Sequence, residues 1–459
     1  MFAKELYIAR REKLRKSVGS GLILLLGNEE SPMNYADNTY HFRQDSTFLY
    51  FFGLNFAGLA AVLDCDSGVD TIYGNDLTVE DFVWMGPQPT IATRALECGV
   101  GNTGTVKRLV EVLGEGASKG RTIHFLPPYR AENKIKLFEY LGILPAESKA
   151  EASLPLIMGV VNQRNYKSSE EISEIRRAAD ISVDMHVTAM RMVGKGVRES
   201  EIAAAVQSVA VAAGGNIAFP VIATINGQTL HNHYHGNTLQ SGQMFLLDIG
   251  AETEMGYCAD LSSTVPVDRG FTAQQREIYD IALGSHNRAI EMLRPGIPFR
   301  DVYLESARAI TRGLQQLGLM KGDVEESVAA GAHALFFPCG LGHLMGLDVH
   351  DMEDIGEVYA GWNGQPKPTQ FGIKSLRLGR ELEPGFVLTI EPGIYFIPEL
   401  IDQWRSKGHN TPFLNYDKIE KYRNFGGIRN EEDFLITETG YELLGKPKPK
   451  TVEEMAAVR

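Results

Sequence analysis

The chain has 459 residues, which exceeds the length of one ordinary hydrophobic core and predicts at least two domains. Hydrophobic residues make up 44% of the sequence and charged residues 22%, as in ordinary globular proteins. No stretch approaches the roughly 20 apolar residues that a membrane-spanning helix needs. The net charge of −13 comes without a dense cluster of Lys and Arg, which argues against a nucleic-acid partner.

The N-terminal segment and the cysteines predict a cytoplasmic protein. MFAKELYIARREKLRK is charged from its fourth residue and lacks the apolar core and cleavage site of a secretory signal. The cysteines are widely separated in apolar segments, which is typical of reduced, mostly buried thiols. They are Cys65, Cys98, Cys258 and Cys339.

Residues 1–166 alternate apolar runs with turn signals, as in GLILLLGN, FAGLAAVLDCDSG and RTIHFLPP, with a helix near 106–113. This pattern predicts a small N-terminal α/β domain. One interpretation of HFRQDSTFLYFFGL is a core strand followed by a surface turn. Trp84 lies in FVWMGPQP, beside Gly and Pro, and is expected in an exposed aromatic loop.

Residues 167–459 are predicted to form a second domain. Ser168 followed by Glu171 has the form of a capping box, ahead of a helical apolar pattern. Strands are predicted in MFLLDIGAE, CADLSSTVPV, GFVLTIEPGIYFI and GIRNEEDFLIT. Helices covering one face of a largely antiparallel sheet make an α+β domain. Further helices are predicted over 201–213, 274–293 and 299–317.

Four carboxylates and one imidazole lie in strand-like or turn-like apolar segments of this second domain. Burying four acids is costly unless they are paired, protonated or bound to metal. An oxygen-rich set with one His suits two hard or borderline divalent ions, such as Mn²⁺, better than a thiolate zinc site. The pattern therefore indicates a two-metal hydrolase. The five residues are Asp248, Asp260, His343, Glu391 and Glu431.

A hairpin centred on Glu254 would set Asp248 opposite Asp260, with both carboxylates on one face. Two facing carboxylates repel each other unless a cation lies between them. A solvated acidic hairpin is the alternative interpretation. Likewise, His343 or His350 alone is more often a structural histidine than a ligand, so the interpretation depends on the whole set.

The segments LLDIGAE, GHLMGLDVHD, LEPGFVLTIEPGIYF and GIRNEEDFLIT resemble the ordered motifs of the aminopeptidase P/prolidase family over about residues 170–440. The resemblance implies a pita-bread catalytic domain of the α+β class and an N-terminal α/β domain of the aminopeptidase P type. It also implies a ligand set, in which one metal ion is bound by Asp248, the other by His343 and Glu391, and both are bridged by Asp260 and Glu431.

The resemblance further implies that a hydroxide bridging the two ions attacks the scissile carbonyl while Glu391 carries a proton to the leaving imino nitrogen. His233, in HNHYHGN, and His350 match histidines that position the substrate. Arg429 is expected to orient the ligands by ion pairing. His231 and His235 are assigned to a polar loop. Asn430 replaces the apolar residue of the similar motif GIRIEDD, which leaves its local packing open.

Family members cleave before proline but differ in substrate length. SLRLGRELEPG resembles the prolidase version of that segment, in which Arg377 would bind the terminal carboxylate of a dipeptide. The stretch YFIPELIDQWRSKGHNTPFLNYDKIEKYRNFGG resembles an insertion of prolidases. An Xaa-Pro dipeptidase is favoured, and an Xaa-Pro aminopeptidase acting on longer peptides is the alternative. Alternatively, Arg377 is a surface residue in a run of cations with Lys374 and Arg380 and does not bind substrate.

VWMG, which contains Trp84, resembles a prolidase loop that reaches the active site of a neighbouring subunit. This implies a homodimer or higher homo-oligomer, with the N-terminal domain shaping substrate access and dimerisation, and short proline-containing peptides as partners. Relatives with this fold include a metal-free hydrolase of creatine and non-catalytic binding proteins. They are remote alternatives because all five ligands are present.

Overall fold

The computed structural model describes residues 1–459, and the chain separates into two units. Unit 1 comprises Met1–Arg164 and Met352–Tyr359, and unit 2 comprises Asn165–Asp351 and Ala360–Arg459. No helix in the structure combines the length and the apolar character needed to cross a bilayer.

Unit 1 is built on one mixed sheet with helices packed against it. Its strands are β1 (Leu22–Leu26), β2 (Ala60–Asp64), β3 (Asp70–Tyr73), β4 (Asn102–Gly104) and β5 (Ile123–His124). Their order is β4-β3-β2-β1-β5, with β1/β5 and β3/β4 parallel and the other pairs antiparallel. The helices are α1 (Lys4–Val18), α2 (Ser46–Phe52), α3 (Val79–Met85), α4 (Ile91–Glu97), α5 (Val106–Ser118), α6 (Ala131–Leu141) and α7 (Leu154–Arg164).

The predicted helix near 106–113 is observed as α5, which buries Leu109 and Leu113 against the sheet. These residues are four apart and therefore share one helix face. They join Leu22, Leu24 and Val62 in the core of unit 1. The alternation along β1 sends Leu22 and Leu24 to the same face of the sheet.

Two elements of unit 1 differ from the sequence-based expectation. The aromatic segment predicted as a strand is the fully buried helix α2. The Asp45 side chain accepts a hydrogen bond from the Phe48 amide and caps this helix, and Gly53 ends it in the left-handed conformation. Trp84 lies on helix α3 rather than in a loop, because a capping box at Thr78 begins a helix there. Its side chain is nevertheless 84% exposed, as expected.

Unit 2 begins with the predicted capping box, in which Ser168 and Glu171 exchange hydrogen bonds at the start of a 24-residue helix. The other predicted helices are observed within two residues of their expected ends. The helices are α8 (Ser169–Met192), α9 (Glu199–Ala212), α10 (Ala273–Met292), α11 (Phe299–Gln316), α12 (Val324–Ala329), α13 (Glu353–Trp362, kinked at Gly356 and shared with unit 1), α14 (Pro398–Ser406), α15 (Tyr416–Ile419) and α16 (Val452–Val458).

The strands of unit 2 form small, mostly antiparallel sheets. They are β6 (Asn216–Ile217), β7 (Ile222–Thr224), β8 (Met244–Asp248), β9 (Ala251–Glu252), β10 (Ser262–Pro266), β11 (Val387–Ile390), β12 (Gly393–Tyr395), β13 (Gly427–Arg429), β14 (Glu432–Ile436) and β15 (Tyr441–Leu443). The sheet orders are β10-β8-β7, β11-β14-β15, β12-β13 and β6-β9. Three segments predicted as continuous strands are each broken, at residues 249–250, 391–392 and 430–431.

The predicted pairing of Asp248 with Asp260 is wrong, because Asp248 pairs with Ser262. The chain turns about Met255, where Gly256 takes a left-handed conformation with φ +85°, and not about Glu254. The register therefore shifts by two residues. Because side chains alternate with a period of two, this shift leaves Asp248 and Asp260 on the same face.

Candidate metal centre

The four predicted carboxylate ligands lie where strands end or break. Asp248 is the last residue of β8, and Asp260 comes two residues before β10. Glu391 follows β11 directly, and Glu431 lies between β13 and β14. An isolated β-bridge between Ser262 and Glu431 joins the start of β10 to the segment between β13 and β14. Interrupting the strands frees these side chains to point toward one centre rather than alternate between two faces.

The structure brings all five residues together. The carboxylates of Asp248, Asp260 and Glu431 offer oxygens within 4.8 Å of one another, and so do the ligand atoms of His343, Glu391 and Glu431. His343 Nε2 lies 3.4 Å from Asp260 Oδ2 and 3.7 Å from Glu391 Oε1. Since Glu431 belongs to both groups, the geometry suits two neighbouring ions with shared ligands.

The electrostatics of this cluster favour a bound cation. Burial raises the pKa of Asp260 well above its ordinary value, and the nearby Glu431 and Asp248 carboxylates raise it further. Burial also raises the pKa of Glu431, and Glu391 is the largest source of repulsion there. The buried oxygens Asp248 Oδ1 and Asp260 Oδ1 have no hydrogen-bond partner. These donors therefore fit divalent metal ions, which would satisfy the orphaned oxygens and offset the repulsion.

His343 is oriented as a metal ligand. Its Nδ1 lies 3.1 Å from the Leu344 carbonyl oxygen, so the tautomer with a proton on Nδ1 leaves the Nε2 lone pair facing Asp260 and Glu391. Burial lowers the pKa of His343 well below its ordinary value, and His350, whose ring centroid is 4.2 Å away, acts in the same direction. A neutral imidazole is the form that binds a metal.

Glu391 combines a fixed backbone with a shifted pKa. Its amide donates to the Leu341 carbonyl oxygen at 2.7 Å, and the following Pro392 restricts it to an extended conformation. Burial raises the pKa of Glu391 to about 7, although Arg429 and His350 act in the opposite direction. A carboxylate with such a pKa can hold or release a proton near neutral pH.

Arg429 links three groups around the cluster. It is buried, its Nη2 donates to Asp248, its Nε donates to Ser262 Oγ at 3.0 Å, and its Nη1 donates to Tyr395 Oη at 2.7 Å. Ser262 Oγ in turn donates to Glu431 Oε2 at 2.8 Å. The guanidinium thus fixes the directions of two ligand carboxylates, one directly and one through Ser262.

Residues behind the ligands are also paired. The Asp260 amide donates to Asp433 Oδ2 at 3.1 Å. Asn430, where an apolar residue was expected, is buried and accepts a hydrogen bond from Tyr279 Oη at 3.1 Å. The amide oxygen at this position therefore has a partner on helix α10, whereas its buried Nδ2 has none.

A cavity of about 480 Å³ opens onto the cluster. Its walls include the predicted His233, His350 and Arg377 in addition to the five ligand candidates and Arg429. Trp84 belongs to unit 1. The remaining lining residues are Phe219, Pro220, Ile222, Leu230, His231, Pro338, Cys339, Gly340, Val349, Phe371 and Ser375.

Sequence reasoning left some of these residues out. His231 was assigned to a polar loop, yet it lies in the cavity wall, and burial lowers its pKa together with the nearby Arg429. His235 contacts the Val221 carbonyl oxygen through Nε2 at 2.9 Å. The HNHYHGN motif offers three histidines at close spacing, and its sequence alone does not say which of them face the cavity. Phe371 and Cys339 carried no sequence signal beyond proximity to Arg377 and His343.

Comparisons with known proteins identify the family of this chain. The sequence profile of metallopeptidase family M24 matches residues 173–438, and that of the aminopeptidase P N-terminal domain matches residues 7–124. The chain is 32% identical to human Xaa-Pro dipeptidase over 97% of its own length and 90% of the relative's. It is 30% identical to a probable Xaa-Pro aminopeptidase of Aspergillus niger, over 97% of this chain and 95% of the relative.

Solved structures show the same architecture over the whole chain. Escherichia coli aminopeptidase P, in a zinc-substituted complex with product, superposes with a TM-score of 0.81 at 29% identity and covers 100% of this chain and 98% of its own. The expected pita-bread catalytic domain and aminopeptidase P-type N-terminal domain are thereby confirmed. The chain belongs to metallopeptidase family M24, within its group of Xaa-Pro peptidases.

Proposed function

We propose that this metallopeptidase is an Xaa-Pro dipeptidase that uses two Mn²⁺ ions. The observation that carries the proposal is that Arg377 lies in the wall of the same cavity as the five ligand candidates. A cation at that position can hold the terminal carboxylate of a short substrate whose scissile bond lies at the metal centre.

We assign the ligands as the sequence predicts. Asp248 would hold one ion, His343 and Glu391 would hold the other, and Asp260 and Glu431 would serve both. Oxygen-rich donors with a single imidazole favour Mn²⁺ among the divalent metals available to such a site. When bound, two ions of this kind supply an activated water and polarise the scissile carbonyl.

The protein's own residues position the substrate and move the proton. Glu391, whose side chain lines the cavity, takes a proton and delivers it to the imino nitrogen of the leaving proline. That nitrogen needs the proton because it leaves as an amine. His233 and His350 orient the substrate carbonyl from the cavity wall, and His231 shares that wall. Arg429 keeps Asp248 and, through Ser262, Glu431 in place.

Arg377 differs from the other cations in its run, which favours a binding role over a surface role. Lys374 is exposed, with its ammonium 5.5 Å from the centroid of the Phe371 ring. Arg380 donates to Glu383 at 2.6 Å and packs over Phe386. Of these three cations, Arg377 alone lines the cavity.

The insertion after β12 supports a short substrate. Its Trp404 packs edge-on against Phe371, with ring centroids 5.9 Å apart, and Phe371 lines the cavity. Trp404 also contacts His409 at 4.4 Å between centroids. The insertion thus buttresses an aromatic part of the wall, which would limit the space beyond the proline of a bound peptide.

An Xaa-Pro aminopeptidase acting on longer peptides is the second candidate. The observation in its favour is the match of the whole chain to Escherichia coli aminopeptidase P, one structure of which holds the inhibitor Pro-Leu. Metal-free and non-catalytic functions are disfavoured because the five ligand candidates converge with orphaned oxygens between them.

We also propose a cytoplasmic homodimer or higher homo-oligomer, with a domain boundary near residue 166. Residues 1–166 would shape substrate access and dimerisation. The exposed Trp84 on α3 would reach the active site of a neighbouring subunit. An exposed tryptophan on a capped helix is a rigid apolar group of the kind that subunit contacts use.

Metal binding is tested by thermal unfolding. Chelator-treated protein should gain stability when Mn²⁺ is added, by about 2.7 kcal/mol at one hundred times the dissociation constant. Asp260→Asn should lose this gain and all hydrolysis, because it removes a shared ligand. Glu254→Gln, in the exposed turn of the same hairpin, is the control and should behave as wild type. Full Mn²⁺ stabilisation of Asp260→Asn would contradict the assignment.

Substrate length is tested by comparing Gly-Pro with Gly-Pro-Xaa tripeptides. For a dipeptidase, kcat/KM should be at least about one hundredfold higher for Gly-Pro than for the tripeptides. A longer peptide moves its carboxylate away from Arg377 and loses a charge-assisted contact. Efficient tripeptide cleavage would instead establish the aminopeptidase.

Arg377→Met should raise KM for Gly-Pro by about ten- to one hundredfold with a smaller change in kcat, since the lost contact binds ground state and transition state alike. Lys374→Met removes an exposed cation three residues earlier and is the matched control. Equal effects of the two substitutions would show that the carboxylate clamp is misassigned.

The role of Trp84 is tested by subunit mixing. Trp84→Ala should raise KM for Gly-Pro severalfold, and Asp260→Asn should be inactive. If Trp84 acts on the neighbouring site, mixed dimers contain one intact centre, so mixing the two variants should restore the wild-type KM in part of the sites. A monomer in sedimentation, or unchanged kinetics after mixing, would overturn the proposal.

A further inference from the structure

A buried lysine lies behind the metal centre and has no part in the proposed reaction. Lys448 belongs to the C-terminal tail, defined here as residues 444–459, and is 3% exposed. Its Nζ donates to the Ser262 carbonyl oxygen at 2.7 Å and to Ser263 Oγ at 3.0 Å. A buried ammonium is costly, so its position next to a strand of the metal centre calls for an explanation.

Alternation along β10 separates the two sides of this strand. Ser262 Oγ points toward Glu431, whereas Ser263 Oγ points the opposite way, toward His186 Nδ1 at 2.9 Å. Lys448 approaches from the side of Ser263. The ammonium is therefore separated from the ligand Glu431 by one residue of the strand, Ser262, whose carbonyl also accepts the Glu431 amide at 3.2 Å.

The groups around Lys448 leave it with a positive charge at neutral pH. Burial lowers its pKa to about 8, while Glu432, Glu431 and Asp433 attract its charge and Lys450 repels it. The facing imidazoles, His186 of α8 and His286 of α10, have pKa values lowered chiefly by burial. They are therefore uncharged at neutral pH. The field of Lys448 thus reaches Glu431, one of the metal ligands.

We propose that Lys448 is a fixed internal cation that weakens the binding of divalent ions at the metal centre. Its charge repels any cation that Glu431 holds, and the low dielectric of the interior transmits that repulsion better than solvent would. The tail thereby sets the metal affinity from behind the sheet, without contacting substrate. This inference rests on the metal centre proposed above.

The test measures Mn²⁺ affinity of chelator-treated protein by calorimetry at pH 7. Lys448→Met should bind Mn²⁺ about tenfold more tightly than wild type, because a like charge has been removed from a medium of low dielectric. Lys448→Arg keeps the charge and should bind as wild type. Lys446→Met is the matched control in the same tail, since Lys446 is 44% exposed and pairs with Asp184 at the surface. Solvent and salt screen the charge of Lys446, so the Mn²⁺ affinity of Lys446→Met should equal that of wild type.

The outcomes separate this proposal from the metal centre itself. Absence of Mn²⁺ binding by wild type would refute the centre. Binding by wild type with equal or weaker binding by folded Lys448→Met would overturn the role of Lys448, and weaker binding would indicate that the lysine supports ligand geometry. If Lys448→Met does not fold, Lys448→Gln keeps a donor for the Ser262 carbonyl and makes the same comparison. Failure of both to fold would assign Lys448 a structural role and reject the proposal.

Discussion

The constraint that shapes the centre of unit 2 is the unfavourable free energy of burying several carboxylates side by side. Asp248, Asp260, Glu391 and Glu431 converge at the wall of the cavity, and burial together with mutual repulsion raises the pKa of Asp260 and Glu431. Opposing positive charge stabilises such a cluster in its ionised form. Arg429 supplies part of it inside the protein, and the orphaned oxygens facing the centre mark where divalent ions would supply the rest.

The backbone meets this electrostatic requirement by interrupting its strands. An uninterrupted strand would send successive side chains to opposite faces, whereas the breaks at residues 391–392 and 430–431 turn single carboxylates toward the centre. Ser262 then joins the pieces, because its hydroxyl contacts Glu431 and Arg429 while its carbonyl accepts from the Glu431 amide and from Lys448. One serine thus couples the ligands, the guanidinium and the C-terminal tail.

Specificity is a separate matter from the chemistry of the metal centre. In the proposed function, substrate length depends on the cavity wall, where Arg377 and Phe371 lie. Relatives of both substrate classes match this chain at about 30% identity, so overall similarity does not divide them. The proposed specificity rests on the positions of Arg377 and of Phe371, against which Trp404 packs.

The sequence by itself singled out the candidate ligands and the ends of the predicted unit 2 helices, because the signals for both are local. An acid in an apolar segment and a capping pair such as Ser168 and Glu171 are readable without knowledge of neighbours. Tertiary structure decided what depends on distant contacts: the turn at Met255 that sets the register of Asp248, the placement of His231 in the cavity, and the burial of Lys448. These features follow from packing between segments far apart in the chain, which sequence periodicity does not encode.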